Sequence, residues 1–177
     1  MSFRTARPSL SARIRRSFPL FGALIFGSLL LAFRVAPVRG GSMEPTLQDG
    51  QWLCYQRYWL PQQLQRGDLV VFDSPVAQGH RYVKRLVGLP GDELRFARGR
   101  LWVNGERLNL PRGAVPFHQI LSVRVPEGSF FAIGDHGAIS FDCRRIGPVP
   151  EHHLVGRVVG PLTRPKPELL ATESGEL

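Results

Sequence analysis

Two residues of this chain have the types and settings for nucleophilic chemistry, Lys84 and Ser42. The chain of 177 residues takes nearly all its positive charge from arginine, and Lys84 and Lys166 are its only lysines. Lys166 lies between prolines near the C-terminus, whereas Lys84 sits in the apolar stretch Arg81-Tyr82-Val83-Lys84-Arg85-Leu86-Val87-Gly88. Arginine keeps its proton in a protein, but a desolvated lysine can have its pKa pulled toward neutrality. A neutral amine is a general base, which raises the question of what it deprotonates. Ser42 follows two glycines and precedes Pro45 in Gly40-Gly41-Ser42-Met43-Glu44-Pro45-Thr46-Leu47. A loop so constrained can offer one carbonyl both a hydroxyl and a backbone N–H, the geometry of attack with oxyanion stabilisation. Taken singly, each feature has an ordinary reading. A strand lysine usually faces solvent, and Gly/Ser stretches are common linkers.

Positioning these residues falls to β-structure. From Gly50 onward, runs rich in valine, leucine and aromatics are punctuated by Gly, Pro and Asp. Strands are predicted at Gln51–Gln56, Asp68–Asp73, Tyr82–Val87, Glu93–Ala97, Arg100–Val103, Glu106–Leu108, Ser129–Ile133 and Leu154–Val159. Asn104-Gly105 marks a hairpin, because both positions tolerate positive φ. A short helical turn is expected near Pro61–Leu64, and the tail from Thr163 reads as flexible. The fold class is all-β, a barrel-like or coiled sheet.

Ahead of this domain, Phe18 to Phe33 is an uncharged, mostly apolar run. As a helix it covers roughly 24 Å, short of a ~30 Å hydrocarbon core. Val35 to Val38 extends the apolar character past Arg34, whose side chain can snorkel. Arg13, Arg15 and Arg16 on the N-terminal flank place that end in the cytoplasm and the rest across the membrane. The predicted organisation is a basic segment at 1–17, a membrane anchor at 18–38, a β-rich domain at 39–162 and a tail at 163–177. Length and flanks favour an uncleaved anchor over a cleaved signal peptide or a buried core helix.

The formal net charge of +9 belongs mostly to the leader, because residues 1–40 hold seven arginines and no acid. The remainder is nearly balanced and has no basic stripe with interleaved aromatics, which argues against a nucleic-acid partner. Cys54 and Cys143 make neither a disulfide framework nor a metal site, and one bridge between them stays open. The histidines show no metal-ligand spacing, so neither a metal nor a cofactor is expected.

The motifs are more informative together. Ser42 through Leu47, then Asp68-Leu69-Val70-Val71-Phe72, then Tyr82 through Asp92, then Gly134-Asp135-His136-Gly137-Ala138-Ile139-Ser140-Phe141-Asp142-Cys143-Arg144 resemble, in order, the motif set of type I signal peptidases. The resemblance implies a membrane-anchored Ser/Lys serine endopeptidase with a coiled β-sheet fold like that of signal peptidases and self-cleaving repressors. It would remove signal peptides after small residues of the Ala-x-Ala type. Ser42 matches the nucleophile, Lys84 the base and Ser140 a hydroxyl that orients the lysine. Asp142 and Arg144 match a supporting ion pair, and Asp135 belongs to the same motif. Gly40 stands where some relatives place a second oxyanion donor. Met43, Leu47, Tyr82 and Val83 are candidates to line pockets for a peptide added along Arg81–Lys84. Implied partners are preprotein signal peptides and membrane lipid, with the export translocon as a further candidate, at the plasma membrane with the catalytic domain outside the cytoplasm.

Three departures stand out. His136 replaces the usual asparagine, Cys143 the usual serine, and the interval from Asp92 to Gly134 is too short for the large second β-domain of some relatives. Rival readings are a dedicated pilin-processing peptidase of conjugation systems and, in a different class, an anchored β-domain that binds peptides without cutting them.

Overall fold

A computed structural model describes residues 27–28, 30–58 and 63–163. The basic segment and most of the predicted anchor lie outside these residues, as does the tail beyond Thr163. The strands are β1 (Phe33–Pro37), β2 (Trp52–Arg57), β3 (Leu69–Asp73), β4 (Arg81–Gly88), β5 (Glu93–Ala97), β6 (Arg100–Val103), β7 (Glu106–Leu108), β8 (Leu121–Arg124), β9 (Ser129–Ile133), β10 (Val149–Pro150) and β11 (Leu154–Pro161). They form a seven-stranded sheet in the order β1-β2-β11-β3-β4-β9-β10 and a four-stranded sheet in the order β7-β6-β5-β8. Every pairing is antiparallel. Register shifts in β11 and near Leu86–Gly88 mark bulges, which bend strands and coil a sheet.

The expectation of an all-β coiled sheet matches this architecture. One boundary is corrected. Phe33–Pro37, read as the end of the anchor, is β1, paired along its length with β2. Arg34 is the sole polar residue in Phe33-Arg34-Val35-Ala36-Pro37 and reads as snorkelling, so hydropathy merges helix and strand. The helical residues stop at Ala32, and among the described residues no helix is long and apolar enough to cross a membrane. The helical turn expected near Pro61–Leu64 is absent at Gln63 and Leu64, and Pro61 and Gln62 lie outside the described residues. β8 and β10 were not anticipated.

β3 shows how the core is divided. Its run Leu-Val-Val-Phe-Asp lacks polar alternation because both faces are covered. Val70 and Phe72 point into a cluster shared with Leu86, Leu94, Phe96 and Phe131, which joins the two sheets. Val71 points the other way, into a smaller cluster with Val38, Met43, Leu47, Leu53 and Tyr55. Burying each such side chain contributes about 2 kcal/mol. The smaller cluster fastens the Ser42 loop to the sheet through Met43 and Leu47, which are both fully buried.

Candidate active site

Ser42 stands on the loop between β1 and β2. The Gly40 N–H donates to Asp49 Oδ1 at 2.7 Å, and the Leu47 N–H donates to the Met43 carbonyl at 2.8 Å. The Glu44–Pro45 peptide is cis. From across the site, the His136 N–H donates to the Ser42 carbonyl at 3.1 Å. This last bond accounts for the departure at His136. The contact uses the backbone, so it does not require an asparagine side chain.

β4 brings Lys84 to this loop. Strand alternation puts Tyr82 and Lys84 on one face, and Lys84 Nζ lies 2.6 Å from Ser42 Oγ and 5.8 Å from the Tyr82 ring centre. Lys84 is 2% exposed. Burial lowers its pKa to about 8; the Asp142 carboxylate opposes the shift and the Arg144 guanidinium reinforces it. Both Asp142 and Asp135 are buried near the lysine, but each already has a cation. Arg144 forks onto Asp142 at 2.9 and 2.6 Å, and Arg85 forks onto Asp135 at 2.8 and 2.6 Å. Burial pushes the Asp142 carboxyl up, but hydrogen bonds from Arg144 and the Gly134 N–H, with the Arg144 charge, hold it below the usual carboxylate range. Asp142 also caps the short helix Cys143–Ile146 by accepting from the Arg144 N–H.

The remaining sequence-predicted residues fall in different places. Ser140 is buried at the site, but its hydroxyl forms no hydrogen bond among the described residues, either to Lys84 or elsewhere. It is near enough to Asp142 to help lower that carboxyl's pKa. Gly40 does not offer an oxyanion donor, since its N–H is taken by Asp49. Tyr82 and Val83 line a cleft of about 560 Å³ together with Ser42, Lys84, Ala36 and Val38. Met43 and Leu47 do not line it; they pack behind it with Val38, Leu53 and Val71. The Arg81–Lys84 half of β4 pairs only with β3, because β9 joins the strand from Arg85 onward. That half therefore leaves a backbone edge open beside the cleft.

Sequence reasoning missed Arg85, Thr46 and Gly134. Arg85 also donates to the Gly67 carbonyl at 2.8 Å, and the Thr46 hydroxyl donates to Asp135. These contacts tie the Ser42 loop, β4 and the Gly134 loop together. A Cβ on Gly134 would fall 2.2 Å from Ser140 Oγ and 2.5 Å from the Ser42 carbonyl. Only glycine lets these segments approach so closely, and a glycine before Asp135 was the one available signal. Both cysteines are free. Cys143 sits in the larger core, where its sulfur accepts from the Ala132 N–H at 3.2 Å and burial pushes its thiol up to about 12, so it neither bridges Cys54 nor reacts readily.

The sequence is similar to known proteins. The sequence model of the family described as signal peptidase, peptidase S26, matches residues 11–163. Signal peptidase I of Bacillus licheniformis is 34% identical over 149 residues, spanning 76% of this chain and 80% of that protein. Signal peptidase I of Bacillus caldolyticus is 32% identical over 162 residues, spanning 81% and 87%. The crystal structure of a signal peptidase I from Enterococcus faecalis, 30% identical, superposes with a TM-score of 0.48 over 59% of this chain and all of that one. With its family's pattern matched from the leader to the last described strand, the chain belongs to the signal peptidase S26 family.

Proposed function

We propose that Ser42 and Lys84 form the catalytic pair of a serine endopeptidase that removes signal peptides from preproteins. The observation that carries this reading is the 2.6 Å approach of Lys84 Nζ to Ser42 Oγ in a buried setting. Neutral Lys84 takes the Ser42 proton as Oγ bonds to the scissile carbonyl carbon. The resulting oxyanion is met by the Ser42 N–H, which donates to nothing else among the described residues. The lysine then gives its proton to the departing amine, and water hydrolyses the acyl-enzyme by the same route in reverse. Histidine bases need an acid to fix their tautomer; an amine does not. The Ser140 hydroxyl, buried at the site, is assigned to orienting the lysine. Asp142–Arg144 and Arg85–Asp135 support the walls.

An extended substrate would add to the open edge of β4 at Arg81–Lys84, with alternate side chains facing the cleft. Tyr82, Val83, Ala36 and Val38 would form its walls. The leader, with its apolar run from Phe18 and its arginine-rich flank in the cytoplasm, is assigned as the membrane anchor. The catalytic domain would then face the opposite side, beside membrane-tethered precursors.

The test is cleavage of a preprotein carrying an Ala-x-Ala site. Ser42→Ala and Lys84→Ala are each expected to lower kcat/KM by at least about 10³-fold, as loss of a nucleophile or its base does. Lys84→Arg keeps the charge but should be equally inactive, because guanidinium does not act as a base. Undiminished cleavage by any of the three would refute the pair, whereas an unaltered chain that binds the preprotein without cutting it would favour an anchored peptide-binding domain.

A further inference from the structure

The four-stranded sheet contains two turns built alike and filled differently. Asn104 (φ 51°) and Gly105 (φ 85°) join β6 to β7, and Arg98 (φ 48°) and Gly99 (φ 72°) join β5 to β6. Two successive positive φ values define the hairpin turn that suits Asn, Asp or Gly at its first position. Arginine has no short polar group to support a left-handed backbone, so Arg98 is the costlier choice. That cost suggests that the side chain itself is needed there.

Arg98 lines a cavity of about 300 Å³ together with Arg100, Arg107 and Arg112. No carboxylate lines it, and none of these four forms an ion pair or side-chain hydrogen bond among the described residues. All four are exposed, whereas the more buried guanidiniums of Arg85 and Arg144 are matched by Asp135 and Asp142. Like charges around one concavity repel, and the potential there favours an anion.

We propose that this cavity binds a phosphate group. A tetrahedral phosphate has enough oxygens to satisfy several guanidinium forks at once, whereas a carboxylate satisfies one or two. The cavity is separate from the Ser42–Lys84 cleft, so the proposal does not depend on the catalytic assignment. It does share a loop with that site. Arg112 and Gly113 line the cavity, the Gly113 carbonyl accepts from the Gly137 N–H at 3.0 Å, and the Ala114 carbonyl accepts from Arg144 Nη1 at 2.6 Å. An occupied cavity steadies the loop that buttresses Asp142–Arg144. The phosphate has two chemical sources, the free ion and the headgroup of an anionic phospholipid.

The experiment uses the full chain in uncharged detergent micelles and reads thermal unfolding. Inorganic phosphate is titrated against chloride at matched ionic strength, and in a parallel arm the micelles are doped with phosphatidylglycerol. The expected result is a saturable rise in Tm. Arg98→Asn and Arg112→Gln should each weaken the apparent affinity about tenfold or more, as loss of a charge-assisted contact does. Arg98→Asn should leave the ligand-free Tm no lower, because it relieves a strained turn. A rise with free phosphate identifies the ion as sufficient, and a rise only with phosphatidylglycerol identifies the headgroup. No saturable rise in either arm overturns the proposal, as does a rise that both variants and their combination retain.

Discussion

Around Lys84 each buried carboxylate has an arginine of its own, whereas four arginines of the second sheet and the loop after β7 face one cavity with no carboxylate among them. The first arrangement leaves the lysine without a duty as counterion. Asp142 and Asp135 are both 0% exposed and would hold a nearby amine in its charged form, were each not already forked by Arg144 or Arg85. Balanced pairs of this kind add little net stability, since desolvation offsets their attraction. Their effect is to let burial decide the state of the lysine. In the second sheet the balance is left open, and the protein is prepared for a charge it does not carry. The same residue type thus completes one site and waits at the other.

Unbalancing the first region should have the largest effect on stability. Arg144→Leu leaves Asp142 buried without its partner, and chemical denaturation should show a loss of about 3–5 kcal/mol. The same variant removes a cation that lowers the Lys84 pKa, so the pH–rate profile should move to higher pH. An unchanged profile would mean that Arg144 acts only through packing.

A smaller effect of opposite sign is expected at Lys84 itself. Its pKa falls from 10.5 to about 8 on folding, so the native state releases this proton before the unfolded chain does. Lys84 therefore costs stability below about pH 8, and the cost fades as pH rises toward 10.5. At 1.36 kcal/mol per unit, Lys84→Met should raise stability at neutral pH by about 3 kcal/mol while abolishing cleavage. The gain should vanish in strongly alkaline solution. In the unaltered enzyme, kcat/KM should rise with pH through an apparent pKa of about 8. A rate flat across that range would contradict an amine base.

The smallest effect belongs to the second sheet. Arg98→Asn should stabilise the protein by about 1 kcal/mol or less in phosphate-free buffer, measured as a small rise in Tm. A fall would show that Arg98 makes contacts that outweigh its strained backbone.

The sequence revealed what depends on residue type and local order. A lone strand lysine, a serine behind two glycines and a spaced set of motifs were sufficient to pair Ser42 with Lys84. Most strands were legible because valine and aromatic runs end at turn residues. β1 was not, because its apolar residues follow those of the preceding helix with only Arg34 between, which a snorkelling side chain explains equally well. The Arg85–Asp135 contact spans 50 positions and has no local signature. Met43 and Leu47 flank the nucleophile in sequence, but the turn directs them into the core. Proximity along the chain was a poor guide to which side chains meet the cleft.

The junction at Phe33 has a mechanical consequence. Ala32 is helical, Phe33 begins β1, and Ala36 and Pro37 of that strand form part of the cleft wall. No loop separates Ala32 from the wall, so the connection is a stiff lever rather than a tether. Were the residues before Phe33 held in a membrane, as proposed, a tilt there would reach the cleft through the paired backbone of β1. The same segment would then serve as the enzyme's measuring rod.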